Sequence, residues 1–149
     1  MTMTGNTEDI IKESVPSYLD IVEFIENYGA DVEANLHQLW RRIVFNIAIS
    51  NTDDHLRNHG FILTEKGWIL SPAYDLNPSI EKDGLSLNID MDDNALNFDL
   101  AKSVGEYFRL SESEMETILS EVLAVVKNWK HIAEEIGIKR SEAELMSSA

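Results

Sequence analysis

Between Asn51 and Pro78 the chain gathers the residue types that phosphoryl transfer requires. That chemistry needs a carboxylate to orient or deprotonate the acceptor hydroxyl, side-chain oxygens including a second carboxylate to hold Mg²⁺, and a cationic cradle for the phosphates. Asp53 is followed by four residues and then Asn58, the spacing at which one catalytic turn delivers a base and a metal-binding amide to the same place. Two apolar segments joined by Glu65-Lys66-Gly67 then carry the chain away and back. Asp75 follows the second of them, where a second metal-holding carboxylate belongs. Each piece alone is unspecific, because Asp and Asn favour turns and caps wherever they occur. The order of base, amide, hairpin and carboxylate carries the reading.

The elements that must position these residues are legible from periodicity and capping. Ser17 with Asp20 forms a capping-box pattern ahead of Leu19, Val22 and Ile25, which predicts a helix from Tyr18 to Tyr28 closed by Gly29. A second helix is expected from Val32 to near Ser50, with Leu36, Leu39, Trp40, Ile43, Val44 and Ile47 as a broad core-facing stripe. It is the buried platform for the Asp53 loop, with Trp40 as a packing residue, Arg41 and Arg42 on its flanks, and Arg42 a candidate ion-pair anchor. Strands are expected at Phe61 to Thr64 and Trp68 to Leu70, with an irregular loop between Pro72 and Pro78. Tyr74 and Trp68 are read as packing residues.

Further along, Leu85, Leu87, Ile89 and Met91 alternate with polar residues, which predicts a half-buried strand, a turn at Asp92-Asp93-Asn94 and a return strand through Leu96 and Phe98. A helix from Leu100 to Phe108 should follow. Ser111 and Glu114 then open the longest helix, whose apolar stripe runs from Met115 through Val126 and Trp129 to Ile136, closed by Gly137; Ser141 and Glu144 suit a last short one. The first 16 residues read as an extended lead-in. The expected fold is α+β and mostly α-helical, a single domain over residues 1–149.

Composition narrows the functions. A chain of 149 residues is long enough to bury a core without a staple, and with no cysteine it has neither disulfides nor thiolate chemistry, in keeping with a cytoplasmic protein. The net charge of −15 argues against a grip on nucleic-acid backbones. No apolar run reaches the length of a membrane span, and the first residues lack the pattern of a signal peptide.

The run from Leu39 to Phe61, Leu-Trp-Arg-Arg-Ile-Val-Phe-Asn-Ile-Ala-Ile-Ser-Asn-Thr-Asp-Asp-His-Leu-Arg-Asn-His-Gly-Phe, followed by Gly-Trp-Ile-Leu-Ser-Pro-Ala-Tyr-Asp-Leu-Asn-Pro, resembles the carboxy-terminal region of HipA-like serine/threonine kinases, the toxins of bacterial toxin–antitoxin pairs. The resemblance implies a kinase-type carboxy-terminal lobe that uses ATP and Mg²⁺, with Asp53 as catalytic base and Asn58 and Asp75 as metal ligands. His55 takes the His position of the family's Asp-x-His-x-x-Asn pattern, where it orders the catalytic loop. It also implies a protein substrate and a HipB-like DNA-binding antitoxin as partner. The departure lies upstream of Asp53, where Lys12 is the sole lysine and Gly5 and Gly29 the only glycines. The phosphate cradle of an amino-terminal lobe is therefore missing from the pattern. The expectation is a lobe incompetent or very weak alone, to be completed by a separate amino-terminal lobe.

Two other readings stand beside this one. A partner-binding module would retain the lobe without its catalysis, and a metal-dependent phosphohydrolase would gather Asp53, Asp54, His55, His59 and Asp75 around an ion. Asp90, Asp92 and Asn94 mimic the start of a calcium loop, but Ala95 and Ala101 stand where its Gly and bidentate Glu belong, so a solvated hairpin tip is the better account.

Overall fold

The computed structural model describes residues 15–81 and 83–149. Of the expected lead-in, only Val15 and Pro16 fall among the described residues. Helix α1 (Tyr18–Tyr28) starts as its cap dictates: Ser17 Oγ accepts from the Leu19 N–H at 3.1 Å, and Asp20 Oδ2 accepts from the Ser17 N–H at 2.8 Å. Its end differs from an ordinary glycine stop. Gly29 has φ −75°, not a left-handed value, and it is required instead by close approach, since a Cβ there would lie 2.5 Å from the Ile25 carbonyl oxygen.

Helix α2 (Val32–Ala48) is the centre of the molecule. Leu36, Leu39, Trp40, Ile43 and Val44 have no solvent exposure, and α1, the hairpin and the later helices pack around them. Trp40 also uses its polar edge, with Nε1 donating to the Ala101 carbonyl at 2.9 Å. Ala101 belongs to α3 (Phe98–Ser103), which is followed by a 3₁₀ turn, Gly105–Phe108. Helix α4 (Glu112–Lys127) has the reciprocal Ser111/Glu114 cap and sets Met115, Ile118 and Val122 against α2. Strands β1 (Phe61–Thr64) and β2 (Gly67–Leu70) pair antiparallel from Phe61↔Leu70 to Thr64↔Gly67, with Gly67 at φ 132°. The hairpin is moored to the α1–α2 junction by the Ala30 N–H, which donates to the Trp68 carbonyl at 2.8 Å. The fold is thus mixed α/β and mostly helical, with one two-stranded antiparallel hairpin among the described residues. No described helix is long and apolar enough to cross a membrane.

Four expectations need correction. Residues 85–91 bury Leu85, Leu87 and Ile89 as expected, but Asn88 is buried as well, Met91 is 77% exposed, and they form no strand. Their backbone is satisfied piecemeal: Asn88 exchanges hydrogen bonds with Pro16 and Tyr18, while the Leu85 and Ile89 N–H groups donate to the Asn94 and Asp93 carbonyls. The return strand is likewise absent, because Asn97 caps α3 and draws Phe98 into the helix. The helix expected over Leu100 to Phe108 starts earlier and gives way to the 3₁₀ turn. Finally, the long helix breaks at Asn128 into α4 and α5 (Trp129–Glu135); past Val122 the stripe is covered unevenly, with Val126 half-buried against the core and Ala133 buried, but Ile132 and Ile136 43% and 70% exposed. A last helix, α6 (Arg140–Leu145), is present, but Lys139 rather than Ser141 is its N-cap, and Glu144 pairs with Arg140 at 2.8 Å.

Two substitutions test this account. Ser17→Ala should cost about 1 kcal/mol, the usual value of a cap. Gly29→Ala should cost about 1–3 kcal/mol, because its Cβ meets rigid backbone. Both would appear as lower urea midpoints at unchanged slope.

Candidate active site

The site is built from the residue that faces away from it. After α2 the chain turns at Ser50, held at φ 54°, and the Asn51 N–H donates to the Asn46 carbonyl at 2.8 Å. Asp54, two residues past Thr52, is 1% exposed, and its Oδ2 accepts three hydrogen bonds: from Tyr18 Oη at 2.6 Å, His59 Nε2 at 2.8 Å and Asn46 Nδ2 at 2.9 Å. A carboxylate only accepts, so His59 carries its proton on Nε2. Its buried Nδ1 has no hydrogen-bond partner. The Tyr18 ring meets His59 edge-on with centroids 5.8 Å apart. Burial, followed by the Asp54 charge and the hydrogen bond to it, raises the Tyr18 phenol well above its ordinary pKa.

Asp53 is exposed while its neighbour Asp54 is buried. Asn58 closes the 3₁₀ turn Leu56–Asn58, donates its backbone N–H to the His55 carbonyl at 2.8 Å, and directs Nδ2 at the Asp53 carbonyl in a long 3.5 Å contact. His55 is half-buried, with Nδ1 lacking a hydrogen-bond partner. The histidine that ties the loop through the Asp54 carboxylate is His59.

Asp75 lies on an exposed loop at φ 57°, with Oδ1 accepting from Asn77 Nδ2 at 2.7 Å. Three hydrogen bonds lace this loop to the Asp53 segment: Ser71 N–H to the Gly60 carbonyl at 2.9 Å, Tyr74 Oη to the Arg57 carbonyl at 2.7 Å, and Ser79 N–H to the Ser50 carbonyl at 3.0 Å. Tyr74, read from sequence as a packing residue, is therefore a tether, whereas Trp68 packs near Phe24 as expected. Arg42 is not on a flank. It is 5% exposed, Nη2 donates to the Ser71 carbonyl, and Nε and Nη1 have no hydrogen-bond partner. Burial lowers its pKa, and the Asp54 charge works against that shift. Arg41 is the flanking residue, paired with Glu121 at 2.7 Å.

The pair of an Asn58 amide and an Asp75 carboxylate offers hard oxygen donors suited to Mg²⁺, which keeps several waters and takes other ligands from phosphates. Among the described residues no three His, Asp or Glu side chains stand together as a metal site. The grouping of Asp53, Asp54, His55, His59 and Asp75 around one ion accordingly fails, since Asp54 and His59 are spent on each other in the interior. The acidic tip is a turn as expected: Asp90 Oδ1 accepts from the N–H groups of Asp92 and Asp93.

Sequence reasoning overlooked the Tyr18–Asn46–Asp54 network. The available signal was polar Asn46 on the apolar stripe of α2, together with the Asp-Asp pair that follows. Tyr18→Phe should cost about 1–3 kcal/mol at neutral pH by stranding part of this network. Below about pH 10 the phenol keeps its proton in both folded and unfolded states, and above it the unfolded chain ionises first. Stability should fall as pH rises past that value, and Tyr18→Phe should lack this component in denaturation curves taken from about pH 8 to 11.

A family model of the HipA-like C-terminal domain matches residues 1–129, a span that takes in α1, α2, both site loops, the hairpin, α3 and α4. No curated protein matches the chain. With most of its length, and every residue of the candidate site, inside the matched span, the chain belongs to the HipA-like C-terminal domain family.

Proposed function

We propose that the chain is the catalytic carboxy-terminal lobe of a HipA-like serine/threonine kinase. The observation that carries this reading is the lacing of the two loops, which holds exposed Asp53 and exposed Asp75 on adjoining segments while their anchors are buried. In this role Asp53 orients and deprotonates a Ser or Thr hydroxyl of a protein substrate. Asn58 and Asp75 hold Mg²⁺, which when bound with ATP neutralises charge on the transferring phosphoryl group. His55, between Asp53 and Asn58, orders the catalytic loop. An amino-terminal lobe supplies the lysine and phosphate-binding loop, and a HipB-like DNA-binding protein is the family's partner type.

A partner-binding role without catalysis is the second reading. The apolar residues left exposed on α4 and α5, Val125 and Ile132 among them, favour it. Calorimetric titration of Mg²⁺-ATP into the chain separates the two. Binding by the wild type that weakens at least about tenfold in Asp75→Asn but persists in Asp53→Ala supports the kinase lobe, because a base does not hold the nucleotide. Binding of equal affinity in wild type and Asp75→Asn favours the partner-binding module.

A further inference from the structure

Three polar side chains are buried along α2, the most enclosed helix of the fold: Asn35, Arg42 and Asn46. Spacings of seven and four residues place them on one side of the helix, over roughly 16 Å of its length. Each of them holds a loop. Asn35 Oδ1 accepts from the Leu70 N–H at 2.7 Å, at the end of β2; Arg42 donates to the next carbonyl, that of Ser71; and Asn46 donates to the Asp54 carboxylate at 2.9 Å. Ser71 begins the loop bearing Asp75, and Asp54 follows Asp53 directly.

Burying polar groups on an otherwise apolar helix is costly, and cheaper residues would fill the same volume. Arg42, the charged one of the three, lies one turn of α2 from Asn46, which holds the Asp54 carboxylate, and the Asp54 charge acts on the guanidinium. Removing either charge alone leaves the other uncompensated in the interior, which disturbs both loops rather than one.

We infer that Asp54 and Arg42 are positioning residues acting as one unit, Asp54 setting the Asp53–Asn58 loop and Arg42 the Asp75 loop, so that the two halves of the site keep a fixed separation along α2. This rests on the kinase reading of the site for its purpose, although the coupling of the loops does not need it.

The test uses the full chain and four variants: Arg42→Met, Arg42→Lys, Asp54→Asn and the Arg42→Met/Asp54→Asn double variant. Amide NMR shifts are read first. Coupling predicts that Arg42→Met moves amides of residues 53–58 as well as 71–77, and that Arg42→Lys, which keeps the charge, returns the 53–58 amides toward wild type. Confinement of the Arg42→Met shifts to 71–77 would overturn the inference, and this arm stands even if the Asp54 variants do not fold. Affinity for Mg²⁺-ATP is read second. Each single variant should weaken it about tenfold and the double variant no more than the worse single, whereas independent residues would multiply to about a hundredfold. Multiplicative losses, or affinity left unchanged by the Arg42 and Asp54 variants while Asp75→Asn weakens it, overturn the unit while leaving the kinase reading intact. Coupled amides with nucleotide affinity that neither Asp75→Asn nor any of these variants changes would instead overturn the kinase reading and with it the positioning role.

Discussion

The Asp54 carboxylate is the interaction on which the rest of the structure depends. It is buried, and ionised carboxylates are tolerated in an interior only when hydrogen bonds and an opposite charge replace the water they lose. Here Tyr18 comes from the start of α1, Asn46 from the last turns of α2 and His59 from the approach to the hairpin, so one oxygen atom joins three parts of the chain. Arg42, buried in the same region, supplies the positive field. Breaking a pair of this kind from one side costs roughly 3–5 kcal/mol, a large share of the stability of a domain this size.

From this anchor follows the outward placement of Asp53. A turn that commits Asp54 inward presents its neighbour Asp53 outward, and the same segment carries Asn58 on a tight 3₁₀ turn. The Asp75 loop is held by different means, through backbone carbonyls bonded by Tyr74 and Arg42. Ser50 and Asp75 both adopt left-handed backbone, a conformation that costs a non-glycine residue about 1–2 kcal/mol. Such strain persists where surrounding contacts over-determine it, and both residues belong to the laced segments beside the candidate site. These contacts seat the two loops on a buried supporting shell.

The acidic surface plays a separate part. Most of the excess carboxylates are solvent-facing, and several are used locally, as in the caps at Asp20 and Glu114 or the exposed pairs of Glu121 and Glu26 with Arg41 and Arg109. Exposed pairs of this kind contribute little to stability. They keep the surface hydrated and leave the organisation of the site to the few polar groups that α2 buries.

The sequence by itself determined the features whose physical cause lies within a few residues. The starts of α1 and α4 follow from capping boxes closed over three residues, the hairpin from Gly67, and the order of Asp53, Asn58 and Asp75 from the chain alone. Tertiary structure alone decided which polar groups go inside. Nothing local tells Asp54 from Asp53, or Arg42 from Arg41; the distinction comes from Tyr18, 36 residues before Asp54, and from Ser71, 29 residues after Arg42. Alternation over residues 85–91 correctly marked Leu85, Leu87 and Ile89 for burial but could not make a strand, because strands need a continuous backbone partner and among the described residues the segment meets Pro16, Tyr18 and a tight turn. The apolar stripe past Val122 likewise kept its period but was covered only in part, at Val126 and Ala133 and not at Ile136. Periodicity records what a segment is able to bury, and only the packed neighbours settle what it does bury.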